Sequence, residues 1–104
     1  MKNDRFNKVR KEISKIQKQI NIVNKKVIEC SEYRKTLKSQ LRDIEQRCQA
    51  NPDIMHFYLV ELNRIKIALQ TNTEYNRMYA EQMTYLKMAK KANDRLVLLL
   101  KDVQ

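Results

Sequence analysis

One histidine, two cysteines, a few serines and some close carboxylate pairs are the groups of this chain that chemistry could use. His56 is the only histidine. A base or metal-ligand role would need partners converging on it, and the cysteines do not supply them. Cys30 and Cys48 lie on one predicted helix, about 27 Å apart at ~1.5 Å per residue, too far to pair with each other. Each fits better as a small buried hydrophobe. The carboxylate pairs Asp43 with Glu45 and Glu29 with Glu32 fall on exposed helix faces, where nothing raises a pKa for acid–base work. Ser14, Ser31 and Ser39 have no histidine base in the pattern. The chain has no glycine, so no glycine-rich phosphate cradle can form. These residues predict a protein that is not an enzyme and holds no cofactor or metal.

Charge is the chemistry that remains. The 104 residues carry a formal net charge of +10. Residues 1–48 hold 14 Lys and Arg against 6 Asp and Glu, and residues 49–104 hold 8 against 6. Lys8, Arg10, Lys11, Lys15 and Lys18 give the early part of the chain a basic outer face. An acidic protein surface or a nucleic acid would match it. Nucleic acid is disfavoured, because no helix-turn-helix, zinc or aromatic-stacking pattern accompanies the lysines. They are spread as on a solvated coiled-coil face.

The element that must position these groups runs from Phe6 to Cys48. Alternating steps of three and four select Phe6, Val9, Ile13, Ile16, Ile20, Val23, Val27, Cys30, Arg34, Leu37, Leu41, Ile44 and Cys48. Every one is apolar except Arg34, and a sustained 3.5-residue period marks a coiled-coil helix. Asn3 or Asp4 is a candidate N-cap behind a short basic lead at residues 1–5. Ala50-Asn51-Pro52-Asp53 is the strong break: Pro52 removes an amide donor and disfavours helix at Asn51. A second helix follows, with a seam of Tyr58, Leu62, Ile65, Leu69, Asn72, Asn76, Tyr79, Met83, Leu86, Lys90, Asn93, Val97 and Leu100.

The expected fold is all-α, an antiparallel two-helix coiled-coil hairpin forming one domain over residues 1–104. Helix 1 covers about 5–49, the turn 50–53 and helix 2 about 53–102. Folding at Pro52 sets Ile44 against Leu62, Leu41 against Ile65, Leu37 against Leu69, Val23 against Met83 and Ile20 against Leu86. It also sets Arg34 opposite Asn72, so the polar seam positions Arg34, Asn72 and Asn76 form a shared layer that fixes register at a cost in stability. The alternative is a three-helix bundle with a break near Thr71, because Thr71-Asn72-Thr73 is a poor helix former.

Helix 2 carries a second stripe that the hairpin does not use: Phe57, Val60, Ile67, Tyr75, Met78, Tyr85 and Met88, continuing to Leu96 and Leu99. Met and Tyr are frequent at protein interfaces, so the stripe is expected to dock a partner protein or, by self-association, a second copy. Free thiols, the lack of a signal-peptide pattern and the lack of a long apolar run point to a cytoplasmic protein without membrane insertion.

Two segments beside the turn carry a family resemblance. Ile28-Glu29-Cys30-Ser31-Glu32-Tyr33-Arg34, and His56-Phe57-Tyr58-Leu59-Val60-Glu61-Leu62 with Ala68 after it, are similar to segments of the central-stalk proteins of flagellar and virulence type III secretion ATPases, the FliJ/YscO family. The hairpin architecture resembles that family over nearly the whole chain. The resemblance implies a coiled-coil stalk at the cytoplasmic face of a membrane-bound secretion complex. Its basic surface, Lys8, Arg10, Lys11, Lys15 and Lys18, would dock in the pore of a hexameric export ATPase. Its turn end, through Tyr33, Leu37 and Tyr58, would meet an export-gate protein. Two other readings fit the same residues: a helical chaperone or adaptor using the stripe of helix 2, and a structural coiled-coil subunit of a larger assembly.

Overall fold

A computed structural model of the chain describes residues 2–103, with side chains from Asp4 to Asp102. The fold is all-α, an antiparallel hairpin of two long helices, α1 (Lys2–Ala50) and α2 (Leu59–Val103), joined through a 3₁₀ helix, Pro52–Tyr58. α1 is already helical at Lys2, so Asn3 and Asp4 lie inside its first turn instead of capping it. Asp4 there suits the positive end of the helix dipole. Of the expected basic lead, Met1 lies outside the described residues.

The turn differs from the expectation in one respect, and Pro52 explains it. Asn51 takes an extended backbone, φ −145 and ψ 93, as a residue before proline prefers. Its amide still closes α1 by donating to the Arg47 carbonyl at 3.0 Å. Its side-chain oxygen accepts from the Asp53 amide at 3.3 Å. The Ile54 amide then donates to the Asn51 carbonyl three residues back, at 3.2 Å. That spacing is 3₁₀ rather than α, so the α-helix opens at Leu59 and not at Asp53.

α2 runs unbroken through Thr71–Thr73, which excludes the three-helix alternative. Tertiary contacts override the poor local propensity. The Thr73 hydroxyl donates to the Leu69 carbonyl at 3.0 Å and accepts from Arg34 Nη1 at 2.8 Å. The Asn72 amide donates to the Cys30 carbonyl at 2.9 Å.

The chain divides into two compact units, a turn unit of Val27–Met78 and a terminal unit of Met1–Lys26 with Tyr79–Gln104. In the turn unit, Leu37, Ile44 and Ile65 form a buried cluster, with Leu41, Cys48, Tyr58, Leu62, Ala68 and Leu69 packed on it. The expected apolar pairs of this region, Ile44 with Leu62, Leu41 with Ile65 and Leu37 with Leu69, all fall inside that cluster. Ile65 is 0% exposed, and a side chain buried so fully contributes about 1.5–3 kcal/mol. In the terminal unit the buried apolar side chains are Ile16 and Val23. Phe6, Val9, Ile13, Ile20, Met83, Leu86, Val97 and Leu100 are half-buried there.

Every α1 seam position from Phe6 to Cys48 is buried or half-buried, and so is every α2 seam position except Asn76. Asn76 is exposed, which corrects its placement in the polar layer. Thr73 takes its place: Arg34 reaches Thr73, and Asn72 reaches the Cys30 carbonyl. An exposed Asn76 keeps its amide hydrated and escapes the cost of desolvation.

Candidate functional site

The polar layer lies within the turn unit. Asn72 is 4% exposed. Its amide nitrogen is satisfied, but its carbonyl oxygen is buried with no hydrogen-bond partner among the described residues. Such an orphaned acceptor costs about 1–3 kcal/mol, so this layer opposes stability while its directional bonds favour one register.

Leu37 belongs to the core, 2% exposed, which removes it from the expected turn-end contact set: an apolar seam side chain gains more from the facing helix than from solvent. Tyr33 is exposed and Tyr58 half-buried. The Tyr58 hydroxyl accepts from Arg47 Nη1 at 3.3 Å, and this bond raises the Arg47 pKa above its ordinary value. Beside the turn, Arg64 grips Glu61 through two nitrogens, Nε at 3.3 Å and Nη2. That hydrogen bonding holds the Glu61 carboxyl below its ordinary 4.5 and raises Arg64. The Glu61–Arg64 pair is not among the residues singled out from the sequence, although its three-residue helical spacing is a recognisable signal.

The groups considered for chemistry are scattered. Cys30 and Cys48 are free, half-buried thiols. His56 is exposed and its ring lies against Phe57, centroids 4.0 Å apart.

The basic surface lies in the terminal unit. Lys8, Arg10, Lys11, Lys15 and Lys18 are all exposed. The Arg10 guanidinium sits 5.6 Å from the centre of the Phe6 ring. None of the five forms an ion pair with a described residue. Folding sharpens the charge beyond what the two halves of the sequence suggest. The terminal unit holds 14 Lys and Arg against 5 Asp and Glu, a net +9, while the turn unit holds 8 against 7, a net +1. Residues of α2 such as Lys87, Lys90, Lys91 and Arg95 fall in the same unit as the α1 lysines, and that pairing follows from the hairpin.

The stripe of α2 is exposed in both units. In the turn unit it comprises Val60, Ile67, Tyr75 and Met78, with Phe57 just before it in the 3₁₀ helix, and Val60 is 83% exposed. Met55 and Leu59 add exposed apolar surface that the spacing argument did not select. In the terminal unit, Tyr85, Met88, Leu96 and Leu99 are exposed. Two grooves run between the helices there. One, of about 480 Å³, has Ile22, Val23, Tyr85 and Leu86 as its apolar lining. The other, of about 650 Å³, sets Arg10, Lys18 and Lys90 around Ile13, Val97 and Leu98, with Asp94 as its one acid.

Among the described residues, this geometry offers charged and apolar side chains for binding. Unpaired cations beside exposed apolar side chains suit contact with a complementary protein surface. Among the described residues, no helix is long and apolar enough to cross a membrane. No protein-family model, curated protein or solved structure matches the chain.

Proposed function

We propose that this chain is a coiled-coil stalk that docks through its terminal unit onto an acidic protein surface, in its most specific form the pore of a type III secretion export ATPase. The observation that carries the reading is the unbroken α2 through Thr71–Thr73. A stalk needs a helix without a joint there, whereas a three-helix chaperone needs a turn. The net +9 of the terminal unit supports the docking end. Lys8, Arg10, Lys11, Lys15 and Lys18 are exposed and free of ion pairs with described residues, so acidic loops of a hexameric ATPase would meet them without breaking internal pairs. Attraction between charged surfaces requires little shape commitment, which suits a shaft held in a ring. On this reading the turn unit, with Tyr33 and Tyr58, meets an export-gate protein at the cytoplasmic face of the secretion complex.

The exposed stripe favours a second reading, an adaptor or structural coiled-coil subunit that binds one protein through Met78, Tyr85 and Met88. The test is affinity capture with the full chain at low and moderate salt. The stalk reading expects a hexameric ATPase that is lost when Lys11, Lys15 and Lys18 are changed together to Glu. Capture of one non-ATPase protein, insensitive to that change but lost on Met78→Ser with Tyr85→Ser, overturns it in favour of the adaptor.

A further inference from the structure

We infer that the terminal unit carries a docking face for an acidic amphipathic helix of a partner protein. The inference shares Lys8 and Lys15 with the basic surface of the ATPase reading, but its apolar floor is separate and it needs no ATPase. Its apolar part is the terminal half of the α2 stripe. Tyr85, Met88, Leu96 and Leu99 recur at steps that keep them on one side of the helix. Tyr85 is 73% exposed, Met88 67% and Leu99 61%. From Tyr85 to Leu99 the stripe covers about 21 Å at ~1.5 Å per residue, the contact length of a four-turn helix. One end is an open groove in which Ile22 of α1 meets Tyr85 and Leu86 of α2. That groove identifies the side of α1 that borders the stripe.

The border of the stripe is basic on both sides. Lys15 and Lys8 lie one and two heptads before Ile22, so they continue the α1 side of the groove along the stripe. On α2, Arg95 lies one heptad beyond Met88 and Lys91 one turn before Arg95. All four are exposed. Five acids, Asp4, Glu12, Glu81, Asp94 and Asp102, share the unit with 14 Lys and Arg, so the region is cationic by excess. An apolar floor with cationic rims is complementary to a helix with an apolar seam and acidic flanks. A second copy fits poorly, because self-pairing would set these cations against their own copies in a unit of net +9.

The probe is a synthetic peptide of about eighteen residues, roughly five helical turns, with leucine at seam positions and glutamate beside them. One control scrambles the leucine positions at the same charge, and another replaces each glutamate by lysine. Fluorescence anisotropy with the full-length chain is expected to show the patterned acidic peptide binding about ten-fold or more tighter than either control, with affinity falling as salt rises. Met88→Ser with Leu99→Ser should weaken binding about ten-fold while circular dichroism stays unchanged, since both sites are exposed. Lys8→Glu with Lys15→Glu should narrow the preference for the acidic over the lysine peptide. Equal binding of the scrambled acidic peptide overturns the inference, because charge alone then suffices. So does a concentration-dependent dimer in sedimentation that Met88→Ser abolishes, because a second copy then occupies the face.

Discussion

In the turn unit, Leu37, Ile44 and Ile65 form one cluster with Leu41, Cys48, Tyr58, Leu62, Ala68 and Leu69 packed against it, and the charge is nearly balanced. In the terminal unit, Ile16 and Val23 are buried while the rest of the seam is half-buried, and nearly all the net charge of the chain is concentrated. The same 3.5-residue pattern runs through both. The difference teaches that a heptad seam fixes which residues face inward but not how deeply they are buried. Where burial is deep the seam supplies stability. Where it is shallow and cationic, apolar side chains and unpaired lysines remain available to a partner.

The largest test of this contrast is truncation of the seam. Ile65→Ala should cost about 2–5 kcal/mol in urea unfolding, whereas Ile16→Ala should lie at or below the low end of that range. Equal costs would remove the distinction between the units. Next in size is Asn72→Leu, which removes the orphaned carbonyl and should raise stability by about 1–3 kcal/mol while loosening helix register. A fall in the melting temperature would instead show that the Asn72–Cys30 bond outweighs the unpaired oxygen. In the terminal unit, Lys11, Lys15 and Lys18 changed together to Glu should leave stability within about 0.5 kcal/mol per site, yet abolish capture of an acidic partner at low salt. Capture that persists unchanged at every ionic strength would contradict electrostatic docking.

The smallest effect belongs to Glu61. Its carboxyl is held below the ordinary 4.5 by Arg64. Its contribution is therefore complete above that ordinary value and is lost as pH falls through the lowered one. Glu61→Gln should flatten acid unfolding slightly in that window, because the pair is exposed and screened. A large change in acid stability would mean that the pair fixes the start of α2.

Much of the fold was legible in the sequence because its cause is local and periodic. The α1 seam named every side chain that the facing helix covers except Gln17, which is also half-buried. Pro52 marked the turn because its ring and missing amide act on adjacent residues. The 3₁₀ run to Tyr58 was not legible, since it depends on how the Asn51 side chain competes for the Asp53 amide. Thr71–Thr73 pointed towards a break that Arg34 and Cys30 prevent from across the hairpin. The seam position of Leu37 argues for burial over a turn-end contact, and the side chain is 2% exposed. The candidate surfaces were legible as residue types, but the charge imbalance between units was not, because it requires knowing that residues 87–101 fold into one unit with residues 2–26.

The most direct test of the account is amide hydrogen exchange on the full chain, alone and with the acidic amphipathic peptide. The free chain should exchange slowest around Leu37–Cys48 and Tyr58–Leu69, and the peptide should slow exchange around Lys8–Ile22 and Tyr85–Leu99. Slowest exchange in the terminal unit of the free chain, or peptide protection confined to the turn unit, would contradict the division between a buried stabilising core and an open binding face.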